Sequence, residues 1–324
     1  MNRKTGLLSD PIYRQHKTGM HPESPDRLTA TLDFLQSSTI WDRLELVSAT
    51  EADRDTIELV HDSDYIADLE RQIKSGREHV HSPDCSVSSE TFKVALNAVG
   101  GAIELVERVL SSDLRNGFGL VRPPGHHAEQ RAAMGFCFFN NIAICAEHLI
   151  RRKGCGKILI VDFDVHHGNG TQHFFENRSD VFYCSVHESP FSCYPGTGFD
   201  SEKGNGEGQG YTLNVSMEAG SGDREYLAAL EKILLPAWES YQPEFVLISA
   251  GFDAHIDDPL ANIRITEETF AAYTKALCQI AETHCGGKLV SLLEGGYNLG
   301  VIPRLIESHL ALLLNFADRQ SKTP

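Results

Sequence analysis

Short apolar runs alternate with longer amphipathic stretches along the chain. Residues 117–121, 157–161, 181–186, 245–249 and 288–293 are each five or six long, with several β-branched or aromatic members. Runs of this length and composition predict strands buried on both faces of a parallel sheet. Helical patterns lie between and beside them, over 88–110, 140–152, 223–241, 266–285 and 300–316. The alternation predicts an α/β fold, a doubly wound and mostly parallel sheet flanked by helices. A glycine cluster, Gly196 to Gly210, leads into the strand pattern 211–215 and not into a helix, so it reads as a surface loop and not a phosphate cradle. With no repeat, low-complexity tract or Pro/Ser-rich linker, residues 1–324 read as a single catalytic domain.

Composition narrows the classes. Against 29 Lys+Arg stand 45 Asp+Glu, a net charge of −16, which disfavours direct nucleic-acid binding and favours basic peptides or amines. No run reaches the ~18 apolar residues of a membrane span, and residues 1–10 turn polar too soon for a signal peptide. The eight cysteines include no C-x-x-C pair and are too sparse for a disulfide scaffold. They read as reduced core residues of a cytoplasmic protein. The acidic segment 51–70 reads as a solvated helical surface.

The chemistry follows the strands. Arg122-Pro-Pro-Gly-His-His127, Asp162-Phe-Asp-Val-His-His-Gly-Asn-Gly170, Ala250-Gly-Phe-Asp253 and Glu294-Gly-Gly-Tyr-Asn298 each come directly after an apolar run. Open α/β sheets place their ligands at such carboxyl ends. If the strand stays extended through His166, period two puts Asp162, Asp164 and His166 on one face. Burying two carboxylates with an imidazole calls for a cation. Asp164 and His166, with Asp253 from a neighbouring strand, make an open three-ligand metal site with a position left for water. Taken singly, an Asp-x-His is more often a helix cap, and Gly295-Gly296-Tyr297 more often a tight turn. Four such clusters at four strand ends outweigh those readings.

These motifs, with His21-Pro-Glu-Ser-Pro-Asp-Arg-Leu28 and Gly135-Phe-Cys-Phe-Phe-Asn-Asn141, resemble the histone deacetylase family over nearly the whole chain. The wider superfamily includes acetylpolyamine amidohydrolases and arginases. The resemblance implies an arginase-like α/β fold and zinc-dependent hydrolysis of N-acetyl amides. It implies Asp164, His166 and Asp253 as Zn²⁺ ligands, His127 as general base and later acid, and His126 as its electrostatic partner. Asp162 would orient His126, and Tyr297 would hydrogen-bond the substrate carbonyl. Asp84 would clamp the substrate backbone, with Gly135, Phe136 and Tyr194 walling an acyl-lysine tunnel; Tyr194 replaces a usual Phe. A structural K⁺ site would use Asp162, Asp164, His166, Ser185 and Val186.

Val165 and Asn169 resemble class II members, and Tyr297 is not the histidine of the weakly active branch. Leu260 stands where the polyamine-selective branch carries Glu, so acetyl-lysine in a peptide, protein or small acetylated amine is the expected substrate. An acetylpolyamine amidohydrolase is the alternative, and an acyl-lysine binding module the non-enzyme one. An arginase-like two-metal site lacks a ligand, since Gly168 follows His166 by two. A homo-oligomer is compatible with the sequence.

Overall fold

In the computed structural model, which describes residues 4–319, Ile158–Asp162 is an apolar strand buried at every position, as its β-branched run predicts. It lies inside an eight-stranded sheet in which every pairing is parallel. In chain order the strands are β1 (Lys4–Leu8), β2 (Leu44–Val47), β3 (Leu114–Gly119), β4 (Ile158–Asp162), β5 (Val181–Glu188), β6 (Thr212–Met217), β7 (Phe245–Ala250) and β8 (Leu289–Leu293). Their order across the sheet is β2-β1-β3-β8-β7-β4-β5-β6. The expected α/β class holds, with a sheet wholly rather than mostly parallel.

The first helices are α1 (Asp26–Ser37), α2 (Arg54–Ile57), α3 (Ser63–Lys74), α4 (Thr91–Leu110), α5 (Asn141–Glu147) and α6 (Asn169–Phe175). They are followed by α7 (Asp223–Ala229), α8 (Leu235–Tyr241), α9 (Glu267–Cys285) and α10 (Ile302–Arg319). One group, α3 to α6, packs together, and α1, α10, α9 and α7 form a second connected group. The ends follow ordinary capping chemistry. Asn140 accepts from the Ala143 amide to start α5, and Gly286 ends α9 at φ +65°.

Four local readings change. The 117–121 strand is shifted toward the N-terminus, to Leu114–Gly119, and includes the buried polar Arg115 and Asn116. Asn116 accepts from Thr5 Oγ1 at 2.7 Å and donates to the Leu313 carbonyl at 3.0 Å, so its polarity is satisfied inside the fold. Strands β1 and β2 were not among the apolar runs. Segment 51–70 is not one solvated surface: it breaks between α2 and α3, and Ile57, Tyr65, Ile66 and Leu69 are buried. The strand does not run on through His166 but stops at Asp162. Of the N-terminal segment read as too polar for a signal peptide, residues 1–3 lie outside the described residues, as do 320–324 at the far end of the predicted domain. No helix among the described residues is long and apolar enough to cross a membrane.

Candidate active site

All four polar clusters gather at the carboxyl edge of the sheet. After β4 the backbone turns, and the turn is made by the site's own carboxylates. Asp162 Oδ1 accepts from the Asp164 amide at 3.1 Å, and Asp164 Oδ1 from the His166 amide at 2.9 Å. Asp253 Oδ1 accepts from the Val165 amide at 2.9 Å, and Asp164 Oδ2 from the Gly295 amide at 2.7 Å. Asp164, His166 and Asp253 therefore converge through backbone hydrogen bonds and not through strand periodicity.

Their ligand atoms all lie within 4.8 Å of one another. His166 Nδ1 is 3.0 Å from Asp164 Oδ1 and 3.1 Å from Asp253 Oδ2. A single ring nitrogen carries at most one proton, yet it faces two carboxylates. Three buried donors aimed at one another fit a divalent cation, and N/O donors suit Zn²⁺. Glycines make the room: a Cβ on Gly251 would strike the Asp164 carboxylate, and one on Gly295 would strike Asp253 and Asp164.

Two buried histidines lie beside the triad, with ring centroids 4.0 Å apart. His126 Nδ1 donates to Asp162 Oδ2 at 3.0 Å, and the Tyr183 hydroxyl lies 3.2 Å from the same oxygen. Burial opposes charge on His126, but Asp162, Asp164 and Glu294 outweigh it and raise its pKa to about 10. His127 Nδ1 lies 2.7 Å from Asn169 Oδ1. Burial, then the neighbouring His126 and His166, push its pKa well below the usual value, so it is neutral. Glu294 accepts from the Gly125 amide at 2.7 Å, the His126 amide at 3.2 Å and Ser249 Oγ at 3.0 Å, and so fixes the loop bearing both histidines.

Asp84, His127, Gly135, Phe136, His166, Tyr194, Leu260 and Tyr297 line one cavity of about 270 Å³. Every predicted tunnel residue is there. Phe136 stands 6.0 Å from Tyr297 and His127 stands 5.1 Å from Tyr194, both pairs edge to face. Phe136 has φ +69°, and a Cβ on the preceding Gly135 would enter the His127 ring. Asp84 accepts from the Gly135 amide at 3.2 Å and from the Ser82 hydroxyl. Tyr194 and Leu260 are 41% and 38% exposed, which puts them at the mouth. Ser185 and Val186 lie on β5, where Ser185 pairs with Asp162 across the ladder, behind the cavity lining. A roomier cleft of about 410 Å³ lies among Lys157, Phe182, Tyr211 and Tyr241, and Lys157 is its one charged lining residue.

Arg27 and Glu294 had no assigned role, although both stand in singled-out motifs. The Arg27 guanidinium lies 4.9 Å over the Tyr297 ring and donates to the carbonyls of Gly296 and Glu294 at 2.7 and 2.5 Å. Arg122, which opens the first of the four clusters, is fully buried and paired with Glu23 at 2.6 Å.

Such a fold and site define an α/β protein in which a triad able to hold a metal ion lies beside two buried histidines at one cavity with aromatic walls. The family model described as histone deacetylase domain matches residues 21–313. A probable deacetylase of Archaeoglobus fulgidus is 37% identical over 303 residues, covering 92% of this chain and 83% of that protein. The polyamine deacetylase HDAC10 of Mus musculus is 40% identical over 287 residues, 86% of this chain but only 42% of its own length. The crystal structure of the HDA15 HD domain superposes with a TM-score of 0.91 at 36% identity, over 97% of this chain and 90% of that one. The chain belongs to the histone deacetylase family, whose members hydrolyse amides.

Proposed function

We propose that this enzyme is a zinc-dependent deacetylase of acetyl-lysine, carried in a peptide, a protein or a small acetylated amine. What carries the reading is the joint placement of the triad, His127 and Tyr297 around one narrow cavity with aromatic walls. Asp164, His166 and Asp253 would hold the metal. A zinc ion bound there supplies Lewis-acid polarisation of the carbonyl and acidifies water.

The protein's own groups supply the rest. Neutral His127, with Nδ1 engaged by Asn169, offers Nε2 to the proton of the attacking water and returns that proton to the leaving amine. Burial, then the charge of Asp253, hold the Tyr297 hydroxyl well above the ordinary phenol range. It therefore stays protonated and donates to the carbonyl oxygen as negative charge develops there. His126, kept cationic by Asp162, adds positive charge beside the reacting centre. Phe136 and Tyr194 flank the aliphatic stem, and Asp84 stands where it can accept from the substrate backbone. A structural potassium ion, expected from the resemblance, would draw on Asp162, Asp164, His166, Ser185 and Val186.

An acetylpolyamine amidohydrolase is the second reading, favoured by the 40% identity to mouse polyamine deacetylase. Against it, Leu260 gives the mouth an apolar side chain where a polycation needs an acid. Turnover of acetyl-lysine peptide, acetylputrescine and acetylspermidine, with and without chelator and added Zn²⁺, tests both. Peptide turnover lost on chelation and restored by zinc supports the first reading. A strong preference for acetylpolyamines supports the second, and indifference to chelators removes both.

A further inference from the structure

We propose that Glu188 is a positioning residue that sets the tunnel mouth, and through it the selectivity for peptide-borne acyl-lysine; this rests on the tunnel being the acyl-lysine site. Glu188 ends β5 and is buried at 1% exposure. Its Oε1 accepts from Ser192 Oγ at 2.9 Å and from Asn262 Nδ2 at 3.0 Å, while Oε2 accepts from the Asn262 amide at 2.8 Å. One carboxylate thus ties together two separate loops. The first leaves β5 and carries Tyr194 two residues after Ser192. The second leaves β7 and carries Leu260 two residues before Asn262. Tyr194 and Leu260 are the two half-exposed walls of the cavity.

The tie is anchored on both sides of the site. The Glu188 amide donates to the Val165 carbonyl at 2.9 Å, inside the metal-ligand turn. On the far side, Asp258 accepts from the Leu260 amide at 3.1 Å and from the Tyr297 amide at 2.7 Å. The tie thus runs from the loop of Ser192 and Tyr194 through Glu188 to the loop of Leu260 and Asn262, which Asp258 links in turn to the Tyr297 backbone. Three donors converge on the two carboxylate oxygens. Glutamine in its place presents an N–H₂ to at least one of those donors, so the loops separate while side-chain volume is kept. The reacting groups are deeper and keep their own hydrogen bonds.

The variants are Glu188→Gln, Glu188→Ala and Asn262→Ala, each compared with wild type for zinc content and circular dichroism. Losing a charged hydrogen bond of about 1.5 kcal/mol corresponds to about tenfold in kcat/KM. That loss is expected for an acetyl-lysine peptide, carried by KM, with kcat within about twofold. N-butylacetamide, which does not extend past the mouth, is expected to change by less than about twofold. Cys193, next to Ser192 and half-buried, reports on the loop directly. Its reaction with a thiol reagent, taken as the difference from Cys193→Ser backgrounds, should accelerate about tenfold in the Glu188 and Asn262 variants. Equal losses for both substrates, or unchanged labelling in a folded variant, overturn the proposal. If wild type hydrolyses no acetyl amide, the deacetylase reading fails, and the labelling rate still decides whether Glu188 holds the loops.

Discussion

The Nδ1 of His127 lies 2.7 Å from the amide oxygen of Asn169. The amide orientation is settled by its other end, where Nδ2 faces the acceptors Glu129 Oε1 and the His127 carbonyl. Oδ1 therefore accepts, Nδ1 carries the proton, and Nε2 has the free lone pair a general base needs. His126 is held instead by a carboxylate, Asp162. Adjacent imidazoles thus divide into a charged one, where Asp162, Asp164 and Glu294 outweigh burial, and a neutral one, where burial, His126 and His166 oppose the charge and Asn169 is an uncharged partner.

Exchanging that partner should move the pH profile. In Asn169→Asp a carboxylate faces Nδ1 and favours the imidazolium, so the His127 pKa rises. The base is active when neutral, so the acid limb of kcat/KM shifts to higher pH. A profile of acetyl-lysine peptide hydrolysis from pH 5 to 9 reads this directly. An unmoved acid limb would mean His127 is not the base.

Tyr297→Phe removes the carbonyl donor and leaves the ring against Phe136 and Arg27. The contact strengthens only as charge develops, so kcat should fall about a hundredfold or more, with KM changed much less. Turnover within about threefold of wild type would remove the phenol from the mechanism.

Much of this site was legible because its chemistry sits in short runs directly after apolar strands, so Asp164, His166, His127 and Tyr297 could be placed without coordinates. The reason for the convergence was not legible. Period two accounted for Asp162, Asp164 and His166 only if the strand continued, whereas carboxylates capping backbone amides bend the chain there. Strand β1, with Lys4, Thr5 and Gly6 among its five residues, has too little apolar pattern to stand out, and β2 is a four-residue edge strand. Glu188 and Asp258 act across loops far apart in sequence, so no local pattern marks them. The glycines before Phe252 and after Glu294 are explained only by the structure, where the Asp164 and Asp253 carboxylates fill the space a Cβ would take.

That last relation predicts a metal phenotype for Gly295→Ala. The added methyl meets the Asp253 and Asp164 carboxylates, which must move apart. Wild type should gain about 2.7 kcal/mol of stability with free zinc at a hundred times its dissociation constant, from binding the folded state alone. The variant should lose most of that gain and bind zinc at least tenfold more weakly. Zinc titration followed by thermal melting measures both. An equal zinc-induced rise in Tm would contradict the assigned ligands.

Acid stability should fall in two stages. His16, His61 and His309 are buried and neutral, their pKa values lowered by burial to about 4, 4 and 3. Unfolding exposes them and returns each toward about 6.5. Below that pH the unfolded chain binds more protons than the folded one, so stability is full above 6.5 and declines toward pH 4. Glu23 acts lower on the scale. Burial alone would raise its pKa, but Arg122 wins and holds it at about 2, against 4.5 when unfolded. Its contribution is present above pH 4.5 and lost as pH falls toward 2. Urea midpoints measured from pH 7.5 to 3 should therefore begin to drop near 6.5. His309→Gln, which keeps a polar side chain between Thr274 and Ser291, should start less stable at pH 7 and lose less between 6.5 and 4. A variant as steep as wild type over that range would show that His309 takes up no proton on unfolding.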